Sequence, residues 1–296
     1  METKLNGNLL GGGGGILLMH EPVTQFKQFK QFKSVYGPVA SWRYGKSLGI
    51  DPIGIVSACS FNCIYCQLGE IEQLRGDRQL FIPTAQILQD LQPFSPWDVD
   101  VITLSGSGEP TLAQNLGEVL AGIKQLTGKP SLVLTNATLL NDRQVRAELA
   151  LADKVAVKLD GLVPDQLQRI NRPIADITLD SILQGIQVFK REYHGQLSVQ
   201  TMVITPWDNA TVQKYIDLIQ HIAPQEIQLN TPTRPKPLQR ELNGRGNHTT
   251  GNIYGDRPVT RLKCVDPETL HQLAATIYQQ TQIPCRCAPT PQPVLS

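Results

Sequence analysis

Charge of one sign is the first thing this sequence lacks. Its 27 Lys and Arg stand against 26 Asp and Glu, a formal net charge of +1. Such a balance gives no global pull toward a polyanion or an anionic membrane surface. A cysteine framework is missing too. Six cysteines in 296 residues do not staple a chain of this size with disulfides, and half of them crowd between positions 59 and 66. That crowding points to metal binding in a reducing compartment. There is no long apolar run near the start either. "NLLGGGGGILLMH" (8–20) is broken by five consecutive glycines and is too short to span a bilayer. It also lacks the charged segment and continuous apolar core of a secretory signal. The expectation is a cytoplasmic chain with no membrane contact.

What is present is long enough for a sizeable core: 41% of the residues are hydrophobic and 18% charged. The repeat "QFKQFKQFK" follows the glycines, and residues 1–32 are expected to be disordered, the alternative being a true start at Met19. The Pro-rich "APTPQPVLS" at the other end is expected to be loose as well. Between them the pattern alternates. Strands are expected near 47–56, 98–106, 130–136, 154–160, 197–205 and 226–230. Helices are expected at 115–126, 141–152 (with Asn141 as N-cap), 177–193 and 209–222. Strands alternating with helices of this length imply a parallel sheet, here about six βα units, either an open doubly wound sheet or an incomplete barrel.

Polar residues inside the strands bear on that choice. In "KVAVKLD" (154–160), Val155, Val157 and Leu159 share one face, and Lys158 and Asp160 share the other. "EIQLN" (226–230) repeats the pattern, with Gln228 and Asn230 opposite Ile227 and Leu229. Central parallel strands are normally apolar on both faces. A polar inner face fits a barrel holding a ligand, and Lys158 pairing with Asp160 at a strand end is the plainer alternative.

"CSFNCIYC" places Cys59, Cys63 and Cys66 in a C-x3-C-x2-C spacing with no fourth ligand nearby. Structural zinc takes four ligands, often as two C-x2-C pairs. A [4Fe–4S] cluster held by three thiolates leaves one iron open to an exogenous ligand.

This triplet, with the aromatic Tyr65 before its third cysteine, resembles the radical S-adenosylmethionine enzymes. "SGSGEP" (105–110) is similar to that family's Gly-Gly-Glu-Pro segment, with Ser107 replacing the first glycine. "VYGPVASWRYGKSLGID" (35–51) and "INRP" (170–173) resemble the Fe–S oxidoreductase subgroup that includes the tRNA wybutosine-forming enzymes. The resemblance implies a partial (β/α)6 TIM-like barrel over 33–232, between the N-terminal segment 1–32 and an irregular C-terminal extension, 233–296. It implies a [4Fe–4S] cluster on the three cysteines and S-adenosylmethionine chelated to the open iron. One-electron cleavage would release methionine and a 5′-deoxyadenosyl radical that abstracts hydrogen from the substrate. It further implies a reducing partner such as flavodoxin or ferredoxin.

Under the same resemblance, Tyr65, Gly106, Gly108, Glu109, Asn136, Lys158 and Asp160 are the candidate cofactor contacts. Gly106 and Gly108 would admit the methionine to the backbone, and Glu109 would support the turn. Arg43, Arg172, Gln200 and Asn230 are candidate substrate or cofactor contacts. A non-catalytic iron–sulfur carrier or sensor is the competing reading, which the "GEP" segment disfavours, because a carrier needs no cofactor cradle. An RNA substrate stays open as a second substrate class. Arg234, Lys236, Arg240 and Arg245 could grip its phosphates, although a solvated loop is the expectation there. Cys264, Cys285 and Cys287 are expected to be unrelated thiols rather than ligands of a second cluster.

Overall fold

The computed structural model describes residues 32–246 and 258–288. The expectations for residues 1–31 and for the tail beyond 288 lie outside the described residues.

The chain begins with β1 (Val35–Ser41), which turns into β2 (Gly45–Ile50). A long loop then carries two short strands, β3 (Ala58–Cys59) and β4 (Gln73–Leu74). The main strands follow in chain order: β5 (Val101–Leu104), β6 (Ser131–Thr135), β7 (Lys154–Lys158), β8 (Gln196–Met202) and β9 (Glu226–Asn230). After the short antiparallel pair β10 (Lys236–Pro237) and β11 (Val259–Thr260) comes the last strand among the described residues, β12 (Cys285–Cys287). One eight-stranded sheet runs β1-β2-β5-β6-β7-β8-β9-β12. Only β1–β2 is antiparallel, and every other pair is parallel. Strand order therefore equals sequence order, as in a barrel that has not closed.

Among the described residues, seven α-helices connect these strands: α1 (Thr84–Leu91), α2 (Leu116–Thr127), α3 (Arg143–Leu149), α4 (Pro164–Ile170), α5 (Leu179–Glu192), α6 (Asn209–Ile222) and α7 (Pro267–Thr281). Their apolar stripes cover the outer face of the sheet. On α5, Ile182, Ile186 and Phe189 are buried at helical spacing, and on α6 Tyr215, Ile216, Ile219 and Ile222 are. Asp142, not Asn141, caps α3, accepting the Gln144 N–H, while Asn141 donates instead to the Ser181 carbonyl.

The partial barrel matches the expected fold class, and it holds seven parallel strands rather than six. The extra one is β12, which lies in the segment read as an irregular extension and pairs with β9. The sheet curls far enough for the β1–β2 turn to reach the opposite side. Tyr44 Oη donates to Gln228 Oε1 at 3.2 Å, and Arg286 Nη2 donates to the Arg43 carbonyl at 2.9 Å. The inner face is polar, as the strand pattern anticipated: Ser47 meets Thr103 at 2.7 Å and Gln200 donates to Gln228 at 2.8 Å.

Candidate active site

The loop after β2 carries the three cysteines across the C-terminal end of the parallel strands, where α/β barrels place their functional groups. Four other segments hold it. The "SGSGEP" segment after β5 docks on β3: Ala58 N–H donates to the Ser107 carbonyl at 3.1 Å, and Glu109 N–H to the Ala58 carbonyl at 3.0 Å. At Gly108 a Cβ would collide with that carbonyl, so only glycine allows this approach. Gly106 has φ 131°, a conformation favouring glycine, and it packs on Asp51.

The second segment is "INRP". Its backbone pairs with the cysteine loop: Asn62 N–H donates to the Asn171 carbonyl at 2.9 Å, Ile64 N–H to that of Ile170 at 2.9 Å, and Ile174 N–H to that of Ser60 at 3.0 Å. The Asn171 side chain then donates to Cys63 Sγ at 3.4 Å and to Asp160 Oδ2 at 2.8 Å.

Third is the end of β6. Asn136 Nδ2 donates to Ser60 Oγ at 2.8 Å and lies 3.6 Å from Cys59 Sγ. Glu109 fixes it. The buried carboxylate accepts from Asn136 N–H (2.7 Å), Thr135 Oγ1 (2.6 Å), Thr111 Oγ1 (2.7 Å) and Thr111 N–H (3.1 Å). Burial pushes the Glu109 carboxyl up against the pull of these donors.

Residues 234–246 form the fourth support, and here the solvated-loop expectation fails. Lys236 pairs with Glu70 at 2.6 Å, Arg240 with Glu72 at 3.4 Å and Arg245 with Asp51 at 3.1 Å. Arg234 donates to Gln67 Oε1 at 2.8 Å. The four cations are turned onto the loop that follows β2, three of them toward its carboxylates and Arg234 toward the Gln67 amide oxygen.

Asp160 is the other organising carboxylate. It is buried, pairs with Lys158 Nζ at 3.1 Å, and accepts from Met202 N–H at 2.7 Å, from Asn171, and from the Tyr65 hydroxyl. Lys158 Nζ also sits 5.3 Å from the centre of the Tyr65 ring. Of the expected site residues, Cys59, Cys63, Cys66, Tyr65, Gly106, Gly108, Glu109, Asn136, Lys158 and Asp160 thus gather at one end of the sheet. Arg43 and Gln200 lie deeper, on the wall of an inner cavity. Asn230 ends β9, and its carbonyl accepts the Val203 N–H at 2.7 Å. Arg172 is exposed; its carbonyl accepts from Asn62 N–H at 3.1 Å and its charge acts on Glu70 of the loop. Sequence reading missed Asn171 as a side chain touching a cysteine, although "INRP" marked its segment. It also missed Asp51 and Ser60, which carry no local signal.

The thiols fit a bound cluster. Burial pushes all three upward, Cys63 to about 12, so that neutral sulfhydryls are favoured unless a metal takes the place of their protons. Amide donors nonetheless face the sulfurs, from Asn136, Asn171 and the Phe61 backbone, the last 3.4 Å from Cys59. Among the described residues, no three Cys, His, Asp or Glu side chains converge tightly enough for a single ion. Thiolates on separate irons of a cluster stand farther apart than the ligands of one ion.

The family model described as the radical SAM superfamily matches residues 53–219. The chain belongs to this superfamily of enzymes, which use a [4Fe–4S] cluster and S-adenosylmethionine. It is 71% identical over 258 residues to the UPF0026 protein slr1464 of Synechocystis, covering 87% of this chain and 97% of that one. It is 29% identical over 189 residues to a probable GTP 3′,8-cyclase of Saccharolobus islandicus, covering 63% of this chain and 58% of the relative. Its fold is similar to that of Streptococcus suis SuiB, with a TM-score of 0.57, 16% identity, and coverage of 82% of this chain and 49% of SuiB. Family membership sets aside the reading as a non-catalytic electron carrier. Among the described residues, no helix is long and apolar enough to cross a membrane.

Proposed function

We propose that Cys59, Cys63 and Cys66 hold the cluster, and that the surrounding strand ends hold S-adenosylmethionine for reductive cleavage. With both bound, the group supplies a 5′-deoxyadenosyl radical that takes hydrogen from a substrate on the inner face of the sheet. The chain's own residues do the positioning. Asn136 and Asn171 donate toward two of the sulfurs, and each is fixed by a buried carboxylate, Glu109 and Asp160 respectively. That paired arrangement is the observation that carries the reading. Lys158 adds a cation beside Tyr65, suited to the cofactor's carboxylate. The "SGSGEP" backbone, bent at Gly106, borders the same space.

The reductant is proposed to be a small electron carrier such as flavodoxin or ferredoxin, acting in the cytoplasm. RNA is the less favoured substrate class, because Arg234, Lys236, Arg240 and Arg245 face the cysteine loop rather than an outer surface.

The test is anaerobic. Reconstituted, reduced protein given S-adenosylmethionine should form 5′-deoxyadenosine and methionine. Iron-loaded protein that binds S-adenosylmethionine yet forms neither product would refute the proposal.

A further inference from the structure

Inside the curl of the sheet lies a cavity of ≈ 120 Å³, lined among others by Tyr36, Ser41, Arg43, Tyr44, Gln200 and Arg245. Most of its polar wall is already paired. Tyr36 Oη meets Ser105 Oγ at 2.7 Å, Ser47 meets Thr103 at 2.7 Å, and Gln200 donates to Gln228 at 2.8 Å. The charges nearby are matched as well: Arg245 with Asp51 at 3.1 Å, and Arg286 with Glu226.

Arg43 is the exception. Among the described residues its guanidinium makes no ion pair and donates no hydrogen bond, and its Nε is buried without a partner. Its contact is with an aromatic face, Cζ standing 4.4 Å from the centre of the Trp42 ring. Burial pulls Arg43 down to about 10, with Arg286 and Arg234 adding to the pull and Tyr44 and Glu226 opposing it, so it stays charged at neutral pH. A half-buried guanidinium with its Nε orphaned, near two further arginines and with Glu226 already taken by Arg286, is an arrangement that a bound anion would complete. A guanidinium fork suits a planar carboxylate or a phosphate, which it grips through two parallel hydrogen bonds.

We propose that this cavity is an anion subsite in which Arg43 receives the acidic group, carboxylate or phosphate, of a small substrate. The proposal rests on the reading of the inner face as the substrate's place. The β1–β2 turn carries Arg43 across one end of the barrel, while Ser105 on the same cavity wall opens the "SGSGEP" segment. Arg43 lies at the end of β2 opposite the cysteine loop, so an acidic substrate anchored there would extend along the inner face past Ser105 to approach that loop.

Trp42 supplies the readout, because its ring is stacked on the group that moves or changes partner. Holoprotein is titrated with inorganic phosphate and, separately, with acetate, at constant ionic strength held with chloride. Trp42→Phe identifies this residue's part of the emission among the three tryptophans. A saturable response to either anion is expected, and which anion gives it distinguishes a phosphoryl from a carboxylate substrate. Arg43→Met should weaken binding roughly 10- to 100-fold, as expected for losing hydrogen bonds to a charged group. The exposed Arg143→Met should leave it unchanged. Should Arg43→Met fail to fold, Arg43→Lys keeps the charge without the fork and should give intermediate affinity. No response to either anion, an equal response in Arg43→Met, or displacement of the anion by S-adenosylmethionine would overturn the proposal. Formation of 5′-deoxyadenosine is measured on the same holoprotein without added anion. Intact formation with no anion response sinks the subsite alone, and an anion response without formation keeps the subsite and sinks the cleavage reading.

Discussion

Gly108 and Ala58 lie in backbone contact, so close that a methyl group on Gly108 would occupy the space of the Ala58 carbonyl oxygen. Two backbone hydrogen bonds flank the contact, at 3.1 and 3.0 Å. The glycine thus registers the "SGSGEP" segment against the residue that precedes the first cysteine. Gly108→Ala should push the two apart, since the obstacle is backbone and cannot rotate away. A loss of about 1–3 kcal/mol is expected, the usual cost of overpacking, together with lower iron content after reconstitution. Denaturant unfolding and iron counts test this; normal values for both would show that the contact is dispensable.

Alanine at Cys59, Cys63 or Cys66 should each remove the reduced-state EPR signal of the cluster. In the parent protein, S-adenosylmethionine should perturb that signal. A full signal in all three variants, or stoichiometric zinc in place of iron, would exclude the ligand assignment.

Asp160 gathers Lys158, Asn171, Tyr65 and the Met202 N–H. Asp160→Asn keeps the shape but loses the charge, freeing Lys158 and weakening the hold on Asn171 beside Cys63. Affinity for S-adenosylmethionine should fall about tenfold or more, the equivalent of one charge-assisted hydrogen bond. The EPR line shape should shift while the iron content holds. Calorimetry and EPR on the same sample separate this from simple misfolding, which would lower the iron as well.

Asp90 gives a pH signature away from the site. Its buried carboxylate accepts from Ser34 N–H and Ser34 Oγ, both at 2.9 Å, and pairs with Lys33 at 3.2 Å. Burial pushes the group upward, but these donors win and hold it below the usual carboxylate range. A depressed carboxyl stabilises the fold above its unfolded-state value and loses that contribution as pH falls through the folded value. Asp90→Asn should therefore destabilise the protein at neutral pH and flatten the acid limb of its stability curve. Unfolding midpoints between pH 7 and strongly acidic conditions check this; parallel curves for the two proteins would rule it out.

Much of the barrel could be read from periodicity. "EIQLN" and the helix 209–222 fall where the pattern put them, because apolar residues recur on the face that helices cover. β12 could not be read that way. It has three residues, centres on Arg286, and becomes a strand only because β9 offers an unpaired edge. Asn141 and Asp142 are both able caps, and nothing local separates them. At the site, the cysteines and "GEP" stand out because their spacing is short-range. The pairing of Arg240 with Glu72 and of Arg245 with Asp51 depends on distant segments meeting, so the same residues read as an ordinary polar loop.

The support that residues 234–246 give the cysteine loop also has a consequence in time. Arg234 and its partner Gln67 are 167 positions apart in the chain. A ribosome completes the thiol-bearing loop long before the segment that covers it has emerged. During that interval the three sulfurs stand open on a nascent chain, and the cover can dock only afterwards. Iron and sulfide can therefore meet the loop before its basic support exists. A finished chain lacking its cluster would take up iron and sulfide with four basic side chains already docked around the loop.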